Sequence, residues 1–434
     1  DGSEPIATVY AGHQFGYFSP QLGDGRAILL GEVVGKKGRY DIQLKGSGRT
    51  PYSRGGDGNA ALGPVLREYI ISEAMNAMGI PTTRSLAAIL TGDKVVREDI
   101  FPGALLVRVA SSHIRVGTFE FFASRGQYND VKALANYSIQ RHFPDLKSNK
   151  DKYLGLLNAV SQRQAELIAQ WMSFGFIHGV MNTDNMAICG ETIDYGPCAF
   201  MDEYNPDQVF SSIDHRGRYK YSNQPKVAPW NLSRLAETLL PLIADKPEEA
   251  VHDAQIIIER FSSHYDDIFR KLMIKKIGIS SINSCEEPKF FEHAQTFLEI
   301  LKAQKADFTN SFRSLTNYLN GTAIPKDLNT LDPSEELKAW IEDWKLILKH
   351  HNFEKNKTLE ILRSSNPFII PRNHQVEKSL LESIQNYKIG ITEFKSFERL
   401  VKASLEPFKE NLNNKDLCLP PKESEKIHET FCGT

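Results

Sequence analysis

The chain changes its hydrophobic period partway along, and that change limits its fold more than any other feature. Its first ~110 residues read as short β-prone runs set between glycine turns, whereas from about residue 128 the apolar residues recur at helical spacing. "GDGRAILLGEVV", a "GKKG" turn and "RYDIQLKG" carry a hairpin signature. "NAALGPVLREYIISEAMNAMGIP" reads as a helix, with Pro64 early and Gly79-Ile80-Pro81 as its stop. "SLAAILTGDKVVRE" predicts a second hairpin around Thr91-Gly92-Asp93, and "ALLVRVA" another strand. "DKYLGLLNAVSQRQAELIAQWMSFGFIHG" predicts a long helix ended by glycines, and beyond about Pro229 nearly everything reads as helix. The expected class is α+β, a small β-rich lobe carrying one helix followed by a large helical lobe. The polar tail after Pro420 is expected to be mobile unless its end is captured.

Composition removes several functions. Lys+Arg number 52 and Asp+Glu 54, so a net charge of -2 gives no footprint for nucleic acid or an anionic membrane. No apolar run approaches the ~18 residues of a membrane span, and no signal-peptide pattern is present. The chain starts at Asp1 rather than Met, so its natural start is expected to lie upstream. The 5 cysteines form no C-x-x-C, which argues against a thiolate zinc site and for a reducing, cytosol-like compartment.

Four features then appear in a telling order. Gly23-x-Gly25 lies at a strand start, where glycines let backbone N–H groups approach phosphates, although most such turns are only turns. Lys45 ends the next strand and can reach a phosphate; a solvated lysine is the plain alternative. The following helix carries Glu68 and Glu73, either of which can orient that lysine or simply face water. "HGVMNTDNMAICGETIDYGP" brings Asn185 and Asp194, hard oxygens about nine positions apart that suit Mg²⁺ or Mn²⁺ bridging phosphates. A glycine loop, strand Lys, helix Glu, metal Asn and Asp-x-Gly follow the order of parts in a protein kinase. The kinase catalytic base belongs five residues before the metal asparagine, and there the chain has Val180.

These residues sit within longer stretches: "YAGHQFGYFSPQLGDGRA", "DIQLKGSGRTPYSRGGDGNAALGPVLREYIISEAM", "LLVRVASSHIRVGTFE", "HGVMNTDNM", "DYGP", "QPKVAPWNL" and "NPFIIPRNH". Together they resemble the selenoprotein O family, YdiU in bacteria, from about Tyr10 onward. The resemblance implies a protein-kinase-like two-lobed fold with a helical extension: residues 1–110 as N-lobe, 111–420 as helical C-lobe and 421–434 as tail. It implies ATP bound in a flipped orientation and AMP transferred to Ser, Thr or Tyr hydroxyls of protein substrates. Lys45 and Glu68 match the strand lysine and its partner, Asn185 and Asp194 the metal ligands, and Asp184 the general base. Arg108 and Arg115 match the arginines that receive the reversed phosphate tail. Gly23, Gly25 and Arg26, with Asp57 and Gly58, match further nucleotide contacts.

The residues themselves agree in one respect, since Arg108 lies in an apolar strand and burying its guanidinium is costly unless an anion or a salt bridge meets it. Cys432 matches the selenocysteine position of animal members, which suggests redox control, with Cys198 the nearest candidate partner in sequence. Location follows the family: cytoplasmic in bacteria, mitochondrial in eukaryotes. Two alternatives stay open, a uridylyltransferase using UTP and Mn²⁺ or a phosphotransferase with Asp184 as substitute base, and an inactive nucleotide-binding scaffold.

Overall fold

A computed structural model describes residues 4–36, 38–280 and 285–431. It is an α+β structure, with a small sheet region near the start and a larger helical part after it. A short hairpin, β1 (Gly12–Gln14) and β2 (Tyr17–Ser19), comes first. The predicted long hairpin follows as β3 (Ala27–Gly35) and β4 (Gly38–Lys45), with Ala27 opposite Lys45. β5 (Ala60–Ala61), β6 (Arg84–Val96) and β7 (Ile100–Ala110) complete a five-stranded antiparallel sheet in which β7 pairs with β4, β5 and β6.

Two local expectations are corrected. Thr91-Gly92-Asp93 is not a hairpin turn. β6 runs through it as an irregularity between Leu90 and Lys94, and the chain reverses later, where Arg97 N donates to Asp99 O at 2.9 Å. The long β7 ladder holds both ends of β6, so Gly92, at φ +84°, is absorbed as a bulge. Likewise Ala60–Ala61 is strand, paired to Gly103 and Ala104 of β7, and the helix α1 begins only at Leu62, running to Ala77.

β7 alternates as a half-buried strand should, with Leu106, Arg108 and Ala110 turned inward. Arg108 thus occupies a position the pattern would give to an apolar residue. Gln43 lies directly opposite it on β4.

The helical part starts before residue 128, with α2 (Val116–Ala123) and then α3 (Tyr128–His142). α4 (Lys152–Phe174) buries Leu156, Leu157, Val160, Ile168 and Trp171 at helical spacing and stops at Gly175, φ +72°. A two-stranded pair, β8 (Phe176–Ile177) and β9 (Ala199–Phe200), encloses the loop that carries Asn185 and Asp194. α5 (Gln224–Ile243) and α6 (Pro247–Lys276) pack on α4, and α7 (Glu287–Gln304), α8 (Phe308–Asn320), α9 (Glu335–His350) and α10 (Lys355–Ser365) enlarge that core. α11 (Asn373–Lys388) and α12 (Lys395–Ser404) return to the sheet region, where Val376, Leu380 and Leu400 join a buried cluster with Leu66 and Ile70 of α1. The tail is captured: Thr430 N donates to Phe210 O at 2.7 Å. Among the described residues no helix is long and apolar enough to cross a membrane.

Candidate functional site

The register of β4 and β7 brings two cations to one spot, the end of β4 and the inward face of β7. Lys45 Nζ donates to Glu68 Oε2 of α1 at 2.7 Å and to Asp194 Oδ1 at 3.1 Å. Arg108 is 1 % exposed, and donates to Glu68 Oε1 at 2.5 Å, Asp194 Oδ1 at 2.7 Å and Gln43 Oε1 at 3.2 Å. Arg115, at the N-terminus of α2, is ion-paired with Asp194 Oδ2, donates to Asp184 O at 2.6 Å and stacks over the Tyr10 ring at 4.6 Å. Glu73, the other candidate on α1, is taken by Arg84 at 2.6 Å and by Ser85 N at 3.0 Å.

Five of the predicted residues therefore converge: three cations, Glu68 and Asp194. Burial pushes the Asp194 carboxyl up, but Arg115, Arg108 and Lys45 outweigh it and hold the group well below the usual carboxylate range. Burial is likewise outweighed at Glu68, by Arg108 and Lys45, and its carboxyl is lowered. The costly guanidinium of Arg108 is thus met by two protein carboxylates.

The loop before Asp194 is fixed by its own backbone. Val180 is buried, and its carbonyl accepts Asn185 Nδ2 at 2.9 Å, which commits the amide nitrogen; among the described residues no donor meets its Oδ1. His178 Nε2 bonds Ile193 O at 2.9 Å, tying the two sides of the loop together. Asp184 is 6 % exposed; Gln14 Nε2 donates to its Oδ2 at 3.1 Å, while Oδ1 is buried without a partner among the described residues. Burial raises its carboxyl to about 6, with the Gln14 hydrogen bond and Arg115 opposing only in part.

The remaining predicted residues lie further out. Gly23 and Gly25 close against the Tyr52–Ser53 turn, and Ser53 Oγ donates to Gly25 O at 2.5 Å. The Arg26 carbonyl accepts Gly46 N at 2.6 Å, next to Lys45. Asp57 is bound by Arg97 at 2.9 Å, and the Gly58 carbonyl accepts Gly48 N at 3.1 Å; among the described residues neither is hydrogen-bonded to the Asp194 cluster. Cys432 lies outside the described residues, though Thr430 Oγ1 donates to Pro197 O at 2.6 Å, beside buried Cys198.

Sequence reasoning missed Asp24, Gln14 and Arg67. Asp24 is buried between the two glycines, bonded by Thr8 N at 3.1 Å and Gln43 Nε2 at 3.2 Å, with Arg115 3.9 Å away. Its one local signal was an acid inside a glycine turn, which ordinarily means only a turn.

Comparison with known proteins places the whole chain in one family. The family model described as "Protein adenylyltransferase SelO" matches residues 1–404. A Rhizobium etli protein named "Protein nucleotidyltransferase YdiU" is 51% identical over 436 residues, covering 100% of this chain and 85% of its own length. Proteins of the same name from Bacillus cereus (strain G9842) and Rhizobium meliloti (strain 1021) are 50% and 49% identical, each covering 100% of this chain and 86% and 87% of their own lengths.

Proposed function

The chain belongs to the SelO family of protein nucleotidyltransferases, and we propose that the group it transfers is AMP, from ATP to hydroxyls of protein substrates, on a kinase-like two-lobed frame. The observation that carries this reading is the convergence of Lys45, Arg108 and Arg115 on the one carboxylate of Asp194. Three permanent or near-permanent cations exceed what an adenine ring needs, and guanidinium forks suit phosphate oxygens. A triphosphate tail buried against them leaves the α-phosphorus as the electrophile open to an acceptor.

The acceptor oxygen then attacks the α-phosphorus, the bond to the α–β bridging oxygen breaks, and diphosphate leaves with that electron pair. Asp184 takes the hydroxyl proton: it is ionised above about pH 6 and one of its oxygens is uncommitted. Lys45, Arg108 and Arg115 hold the departing charge.

Charge balance supports a metal requirement. The three cations already face Glu68, Asp194 and Asp24, so a triphosphate entering this neutral set needs added positive charge. Asp194 is still 22 % exposed, and among the described residues no donor meets the Asn185 amide oxygen, so the two offer a hard donor pair of the kind Mg²⁺ or Mn²⁺ takes alongside water and phosphate. When bound there, the cation would neutralise the phosphates.

The test is incubation with α-labelled and γ-labelled ATP in parallel, with α-labelled UTP and Mn²⁺ as a further arm. Covalent α-label from ATP, with a mass gain of AMP, is expected. Covalent γ-label without α-label would mean a conventional kinase orientation, preferential label from UTP would mean uridylylation, and no label of any kind would favour an inactive scaffold.

A further inference from the structure

A short basic stretch of the sequence runs up to and into α5, a region bonded to the loop just before Asp184. Between Asp214 and Lys226 four cations, Arg216, Arg218, Lys220 and Lys226, stand against one acid, in a chain whose net charge is -2. That acid is consumed locally, since Asp214 accepts from Arg218 N at 2.9 Å and Tyr219 N at 2.7 Å. Lys220 is paired with Asp207 at 2.6 Å. Among the described residues Arg216, Arg218 and Lys226 have no ion-pair partner, and Arg216 and Lys226 are exposed.

Lys226, Trp230 and Arg234 recur every fourth residue of α5 and so share one face. The guanidinium groups of Arg218 and Arg234 lie 4.8 and 5.0 Å from the Trp230 ring centre. His13 meets the same ring edge-on at 5.2 Å. Next to it the tip of the β1–β2 hairpin exposes Tyr17 (77 %) and Phe18 (41 %). The acids nearby are already paired: Glu120 with His13, and Glu237 with Arg234 at 2.6 Å.

This surface is tied to the catalytic loop. His13 N donates to Thr183 Oγ1 at 2.7 Å, Tyr219 OH to Asn182 Oδ1 at 2.6 Å, and Asn231 Nδ2 to Met181 O at 2.8 Å. The loop residues so bonded, Met181, Asn182 and Thr183, directly precede Asp184.

We propose that this basic and aromatic surface binds an acidic stretch of the acceptor protein beside the hydroxyl to be modified. The proposal deepens the transferase reading above and rests on it. Carboxylates of the acceptor would pair with Arg216, Arg218 and Lys226, and an apolar neighbour would cover Tyr17 and Phe18. Several exposed pairs of modest worth add up to a preference, and that preference weakens as salt rises.

The probes are two synthetic peptides with the same Ser, Thr and Tyr acceptors, one flanked by Asp and Glu, the other by Lys. Each is measured against the full chain for binding by fluorescence anisotropy and, separately, for α-label transfer. The acidic peptide should bind roughly tenfold tighter, with the preference fading at high ionic strength. Arg216→Glu with Lys226→Glu, both exposed and unpaired, should erase that preference while leaving ATP affinity unchanged. Arg218→Gln should reduce it. Equal binding of the two peptides, or a preference that survives the double charge reversal, overturns the proposal. Selective binding without transfer of α-label would uphold the surface and sink the transferase reading instead.

Discussion

Arg67 reaches from α1 to the carbonyl oxygen of Cys198, 2.5 Å away, and so joins the helix that carries Glu68 to the segment that carries Asp194. The same guanidinium donates to Gly196 O at 3.2 Å, Asn373 Oδ1 at 3.0 Å and Glu377 Oε1 at 2.7 Å. Glu68 and Asp194 share Lys45 and Arg108, so the distance between them is set in part by the neighbouring side chain.

In the proposed reaction Arg67 would accordingly act as a positioning residue. Arg67→Met keeps the apolar stem and removes four hydrogen bonds. It should lower transfer by about tenfold or more and raise the metal concentration needed for half-maximal activity. Glu377→Gln should do the same more weakly. A fall in thermal midpoint with unchanged metal dependence would reduce Arg67 to a structural tie.

Asp194 holds three cations and is also the proposed metal ligand, and Asp194→Asn separates the two parts. Asparagine accepts the left-handed backbone that Asp194 adopts at φ +63° better than alanine does. The substitution removes the charge that holds three cations, so stability should fall by a few kcal/mol, the scale of breaking a half-buried ion cluster. Inorganic pyrophosphate should restore the thermal midpoint more in the variant than in the parent, because the freed cations then meet its oxygens. Metal-dependent transfer should be lost. Normal transfer by Asp194→Asn would remove Asp194 from the proposed metal site.

Much of the sheet region was legible because its signals are local. The hairpin of β3 and β4, the inward Arg108 of β7 and the glycine end of α4 all follow from spacing and turn residues. Thr91-Gly92-Asp93 misled because one turn motif serves a hairpin or a bulge, and only the length of the partner strand decides between them. Arg67 and Gln14 were out of reach for another reason. Their partners lie 131 and 170 positions away, and nothing local distinguishes an arginine facing a remote carbonyl from one facing water.

Gly12 offers a check on Asp184 that leaves Asp184 itself in place. A Cβ on Gly12 would lie 2.7 Å from Asp184 Oδ1 and 3.0 Å from its Cβ, too close for either residue to stay where it is. β1 is held down on the loop by His13 and Phe15, so the carboxylate is the part expected to move. Gly12→Ala should lower the turnover number by roughly 10²-fold, the usual worth of a positioned base, with metal–ATP affinity unchanged. Equal loss of ATP affinity would show that the hairpin supports the nucleotide rather than the base.

Lys276 yields a stability prediction outside the Asp194 cluster. It ends α6 almost fully buried, its ammonium near the Phe174, Phe308 and Phe312 rings at 5.6, 5.2 and 4.6 Å, and among the described residues no carboxylate pairs with it. Burial pushes its ammonium down to about 7. In the unfolded chain the group keeps its proton until about pH 10.4. Below pH 7 both states are charged, and the folded state bears the full penalty of burial. Between pH 7 and about 10 the folded state releases its proton first, the unfolded state binds more protons, and stability therefore rises with pH. Lys276→Met fills the same space without a charge. Denaturant unfolding should find the variant more stable than the parent at pH 6, by a few kcal/mol at most given the aromatic rings that partly offset the penalty, and the gap should narrow by pH 9 and close near about pH 10. A gap that does not change between pH 6 and pH 9 would mean that the lysine keeps its proton inside the fold, with the three rings sufficient to hold it.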